Sequence, residues 1–342
     1  SSCAVERNFD RFWKRKDIIM ETFEIVAKKS RRRNTKKILL LSIAVVLSVV
    51  GIYTATRTIL EKMAIHHMTE VTNYYENRSQ IAYPNIYSSN NIHATNDFSN
   101  LYQLTRSKDL DGVIVPYDTV TASAGPNFEK IDHMADSVIL SSGVNNNVMA
   151  FNAGRRVKIP LFFNIKNNDE TDIMAKPSQE LPLVSEMKGQ LVEVAVTFDK
   201  PYTYSELQTM LPSNLKANWY WLGTYSNYNT ASLDIGNLFG FKVIKDDIKY
   251  SFDIFQTHLK NSLKDKHGLI NISTSKGEIY STKKELDYLN KTLKNIENCK
   301  FSGVILTGKA ENFAQLEGKE WIYASSIGAS TPNQPYYKLD KE

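Results

Sequence analysis

Residues 38–56 read ILLLSIAVVLSVVGIYTAT, an apolar run with no charge. As a helix rising about 1.5 Å per residue it would span roughly 28 Å, close to the ~30 Å hydrocarbon core of a bilayer. A helix satisfies its own backbone polar groups in lipid, so the pattern predicts one transmembrane helix over 38–56. A buried core helix of this length would show a polar face. A cleavable signal peptide would have a brief basic start, a shorter apolar region and a small-residue cleavage site. Instead a long polar arm precedes the run and no clean A-x-A site follows it, so an uncleaved anchor is expected.

Before the anchor, residues 6–29 place Phe9, Phe12, Trp13, Ile19, Met20, Phe23, Val26 and Ala27 at spacings of three and four. This predicts an amphipathic helix. Arg11, Lys14, Arg15, Asp17, Glu21 and Glu24 fall mostly on its other side, and Lys14 and Lys16 are assigned to the polar face. After the anchor, residues 58–75 extend the helix. A polar, Asn/Ser-rich stretch follows, broken by Pro84 and Pro116, with short strands at 113–115 and 137–140. Residues 164–182 read as loop or linker. From Gly189 the pattern sharpens. Strands are expected at 191–198 (stopped by Pro201), 219–222, 301–307 and 321–327, and helices at 204–207, 283–298 and 311–316. The mixture predicts an α+β region, with a ferredoxin-like arrangement of β-α-β pieces as one option.

Charge orients the anchor. Residues 1–37 carry a net charge of +7 of the chain's +5 total, leaving the rest at −2. Lys28, Lys29, Arg31, Arg32, Arg33, Lys36 and Lys37 precede the span, whereas only Arg57 and Lys62 follow within twenty residues. The positive-inside rule puts the N-terminus in the cytoplasm and residues from Arg57 onward outside. Beside a spanning helix the basic run fits lipid headgroups better than nucleic acid. Cys3 and Cys299 then lie on opposite sides and cannot pair. A large exported region without an internal disulfide fits a bacterial cell surface better than an animal secreted protein.

Signals for chemistry are weak. His66 and Glu70 share a helical face at i, i+4, but no third ligand at useful spacing accompanies them, so no metal site and no cofactor is expected. No G-x-S-x-G elbow, P-loop or G-x-G-x-x-G is present, and catalysis is not expected. Gly303 to Gly308 reads as a tight sheet edge. Trp219, Tyr220 and Trp221 read as core aromatics.

Two stretches carry a resemblance. GQLVEVAVTFDKPYTYSEL, LPSNLKANWYWLGTY, FSGVILTGKAENFAQL and IYASSIGAS resemble the sigma-factor-regulator C-terminal domain of Bacillus-type membrane-bound anti-sigma factors. KKSRRRNTKKILLLSIAVVLSVVGIYTATR is similar to the paired N-terminal domain. The resemblance implies that the arm holds an extracytoplasmic-function sigma factor at the membrane, and zinc-dependent sensing is not implied because no HxxxCxxC is present. The layout expected is 1–37 sigma-binding arm, 38–56 span, 57–163 membrane-proximal region, 164–188 linker and 189–335 C-terminal domain. Partner contacts are expected from Phe9, Phe12, Trp13, Ile19 and Phe23. Membrane lipid, and a second membrane regulator, are the other partners considered. The competing reading is a membrane-anchored envelope protein that binds a ligand or works on the wall.

Overall fold

The computed structural model of the chain describes residues 3–341 apart from 97, 168–172 and 276. The chain divides into two units, Ser1–Lys62 and Met63–Glu342. Helix α1 (Cys3–Ile81) runs through the first and opens the second.

In the second unit, Met68, Val71, Tyr74 and Tyr75 of α1 pack on Tyr102, Leu104 and Val120 of a four-stranded antiparallel sheet. Its strands β1 (Ile86–Asn96), β2 (Ser99–Leu110), β3 (Val113–Gly125) and β4 (Phe128–Lys130) pair in chain order. The turn between β2 and β3 is Asp111-Gly112, with φ of 58° and 94°. Both angles are positive, as a two-residue hairpin turn that follows the strands' twist requires. A three-stranded sheet follows, made of β5 (Val138–Ser142), β6 (Val148–Asn152) and β7 (Lys158–Ile159).

After the short helix α2 (Leu181–Val184) comes the main sheet. Its elements begin with β8 (Gln190–Thr203), α3 (Tyr204–Met210), β9 (Lys216–Trp221) and β10 (Gly240–Phe241). Next are α4 (Ile248–Ser262), the hairpin β11 (Asn271–Thr274) and β12 (Gly277–Ser281), and α5 (Thr282–Thr292). β13 (Lys300–Lys309), a 3-10 stretch Ala310–Leu316 and β14 (Ile322–Pro332) complete it. The strand order is β10-β9-β13-β8-β14, all neighbours antiparallel. Counting β8, β9, β13 and β14 as first to fourth gives the order 4-1-3-2. α3 joins the first pair and Ala310–Leu316 the last, which is the split β-α-β arrangement of ferredoxin-like folds. Residues 222–299 are inserted between its second and third strands.

Both faces of this sheet are covered. Val192, Val194, Val196, Val304 and Leu306 meet Leu207, Phe255, Leu286 and Phe313, while Ala195, Ile305, Trp219 and Trp221 meet Phe162, Leu233 and Tyr280. Two-sided burial explains why 191–198 is nearly all apolar rather than alternating.

The structure corrects several expectations. The 303–308 segment belongs to the central strand, not an edge. Gly303 is required there because a Cβ would lie 2.7 Å from both the Phe162 ring and the Val196 carbonyl. Pro201 does not end its strand: it lies where the β8–β13 register slips and no ladder partner needs its missing N–H. Pro116 likewise sits inside β3, beside a register shift. Residues 283–298 are not one helix, since α5 stops at Thr292. The stretch 164–188 is not a free linker toward its end: Gln179 bridges to Ser325, and Leu181 and Val184 are buried in the main core.

Buried charge ties the smaller sheets to the main one. Arg106 on β2 holds Asp118 and Asp136, each at 2.6 Å, and Tyr83 donates its hydroxyl to Asp136 at 2.7 Å. Lys108 pairs with Glu193 on β8 at 2.5 Å, and the Asn85 side chain donates to the same carboxylate. Such charges are tolerated inside only because each is paired.

Candidate partner-binding helix and membrane span

Residues 3–37 contain neither Gly nor Pro, so nothing local interrupts the helix. Hydroxyls that would oppose an apolar setting turn back on their own backbone. Thr22 donates to the Ile18 carbonyl at 2.6 Å, Ser48 to Ala44 at 2.8 Å and Thr54 to Val50 at 3.0 Å. This removes the cost of carrying them through an apolar medium. α1 contains a segment long and apolar enough to cross a membrane, none of it buried.

At about 100° per residue, Phe12, Trp13, Ile19 and Phe23 fall within an arc of roughly 120°. They are 67%, 49%, 56% and 75% exposed. Phe9 lies in α1, but its side chain is outside the described residues. The face is less exclusive than its periodicity suggests, because Ile18 and Ile25, also exposed, project from the opposite side. Lys16 does not belong to the polar face: its ammonium lies 4.9 Å from the centre of the Trp13 ring, a cation–π contact one turn along. Lys28, Lys29, Arg31, Arg32, Arg33, Lys36 and Lys37 are exposed all round the helix, as a collar rather than a stripe.

Among the other sequence candidates, Trp219, Tyr220 and Trp221 are buried in the core. Cys299 is buried and free, its thiol pushed up to about 12 by desolvation. His66 stays exposed, 3.8 Å from Glu70. Sequence spacing missed that its neighbour His67 lies 3.7 Å from Glu129, which in turn meets His267, residues far along the chain that only the fold brings near.

One apolar helix ahead of an α+β unit is the build of a single-pass membrane protein. Residues 24–115 match the family model for the sigma factor regulator N-terminal domain, and residues 184–329 the model for the sigma factor regulator C-terminal domain. With more than half of its length matched, the chain belongs to the sigma factor regulator family, whose paired domains support an anti-sigma factor role. No curated protein and no solved structure gives a significant match to the chain. The aromatic residues 12–23 lie just ahead of the first matched segment.

Proposed function

We propose that the chain holds an extracytoplasmic-function sigma factor inactive at the membrane through a cytoplasmic arm, residues 1–37. Residues 38–56 cross the bilayer, and the unit that follows lies outside the cell, where it senses or relays a signal. The carrying observation is the run of exposed Phe12, Trp13, Ile19 and Phe23 on a helix with no core of its own to bury them. Large rings presented this way suit a hydrophobic groove on a partner. The basic collar suits anionic headgroups, at about 1 kcal/mol per residue near the surface.

The test compares sigma-dependent transcription in cells carrying Trp13→Ala or Lys14→Ala, with membrane levels checked. Lys14 replaces Lys16 as the charge control because Lys16 touches the Trp13 ring. Constitutive transcription for Trp13→Ala and ordinary repression for Lys14→Ala are expected. Unchanged repression in both would discard the groove and favour the envelope-protein reading. A reporter fused after Glu342 should be active only outside the cytoplasm.

A further inference from the structure

In the second unit, side chains from three segments converge beside the start of the packed part of α1. His67 and Glu70 come from α1, Glu129 from β4, and Lys266 and His267 from the loop after α4. His67 Nδ1 is 2.7 Å from the Gly125 carbonyl. A carbonyl only accepts, so in the neutral ring Nδ1 carries the proton and Nε2 presents a lone pair. That Nε2 is 3.7 Å from Glu129 Oε1, while His267 Nε2 is 2.5 Å from the other oxygen, Oε2. Ligand atoms of His67, Glu70 and Glu129 all lie within 4.8 Å of one another. The Lys266 ammonium sits between the two carboxylates, 2.8 Å from Glu70 and 3.0 Å from Glu129.

A plain surface charge network would explain the Lys266 contacts. It does not explain how His67 is held. A histidine whose far nitrogen is pinned to a backbone carbonyl has the tautomer and orientation of a metal ligand. The ammonium now between the carboxylates is carried by a side chain that is 58% exposed, so an ion entering from solvent competes with it directly. Two imidazoles with carboxylates are a donor set suited to zinc.

We propose that His67, Glu129 and His267, with Glu70, bind a zinc ion that takes the place of the Lys266 ammonium and ties α1 to β4 and to the loop after α4. Zinc donors at 2.0–2.2 Å lie about 3.3 Å apart in a tetrahedral site. Between His67, Glu70 and Glu129, whose ligand atoms lie within 4.8 Å of one another, the donors need to close by up to about 1.5 Å. All four ligands are partly exposed, which leaves an entry path.

The test uses the full chain in detergent micelles, purified without a histidine tag and titrated with zinc chloride against a chromophoric chelator. One zinc per chain is expected, weakened about 100-fold or more by Glu129→Gln or His267→Asn and unaffected by His133→Asn, an exposed histidine elsewhere. Lys266→Met removes the competing cation and should tighten binding at least about threefold. This variant stays informative even if the ligand variants fail to fold. Absence of stoichiometric zinc, binding that survives Glu129→Gln, or an affinity that Lys266→Met leaves equal or weaker would each overturn the site.

Discussion

Two stretches of the same helix have opposite surroundings. Along residues 11–59 every side chain of α1 is exposed, whereas Ala64, Met68, Val71, Tyr75 and Arg78 are buried at spacings of four, three, four and three. The later stretch is helical because one stripe of it packs on β2 and β3. The earlier one has the composition of a helix and is exposed along its length, and isolated helices in water draw little stability from propensity alone. On the function proposed above, its stability comes from lipid around 38–56 and from a partner or headgroups around the arm.

The largest effect that should separate the two stretches comes from Arg106→Met. It strands Asp118 and Asp136 in the interior and should cost about 3–5 kcal/mol in the second unit. Thermal unfolding followed by near-ultraviolet dichroism should register the loss, while binding through the arm persists below the new midpoint. Glu285 comes next. Burial raises its carboxyl pKa to about 7, against the hydrogen bonds it accepts from Thr224 and the Tyr225 backbone. The folded form thus binds a proton that the unfolded form releases, so this group's stabilising contribution is complete at low pH. It declines as pH rises from about 4.5 to about 7, by on the order of 2–3 kcal/mol. Subtracting the pH–stability curve of Glu285→Gln from that of the parent should reveal this slope. A flat difference would count against it.

Phe12→Ala should do the reverse of Arg106→Met. It should leave the melting of the second unit unchanged and weaken sigma-factor binding by about 2 kcal/mol, roughly thirtyfold, in a pull-down titration. The smallest effect concerns a cap. Thr203 and Glu206 form a reciprocal capping box at the start of α3, and Thr203→Ala should cost about 1 kcal/mol in denaturant unfolding. An equal loss from Thr203→Ala and Arg106→Met would mean that the buried ion pairs contribute far less than their geometry implies.

How much of this was legible follows from what each residue is paired with. β8, β9, β13 and β14 announce themselves through β-branched and aromatic runs, since two-sided burial leaves little room for polar residues. β1 and β2 do not, because inward positions of β2 are filled by Arg106 and Lys108. Their partners Asp118, Asp136 and Glu193 come from elsewhere in the chain, and no periodicity encodes that. Two signals were readable and overlooked. Asp111-Gly112 is a strong hairpin dipeptide. Asp247, which caps α4, precedes Phe252, Phe255 and Leu259 at helical spacing. The arm's apolar residues were visible in the sequence, but the cation–π contact that removes Lys16 from the polar face needed coordinates. The His67 cluster joins three distant segments, and of its members only Glu70 stood out by spacing, with His66 rather than His67.

The strand order has a consequence for how the chain comes into being. Among the described residues, the ladder partners of β8 are β13 and β14, both of which follow the inserted 222–299 segment. Until they are synthesised, LVEVAVTF stands with both edges unpaired. At roughly 5–20 residues per second the delay is about 5–25 seconds. Throughout that time the nascent chain carries a segment with the makings of an aggregation nucleus: high β-propensity, little charge and no Pro. Lys200 and Pro201, immediately downstream, stand where gatekeeper residues would interrupt it.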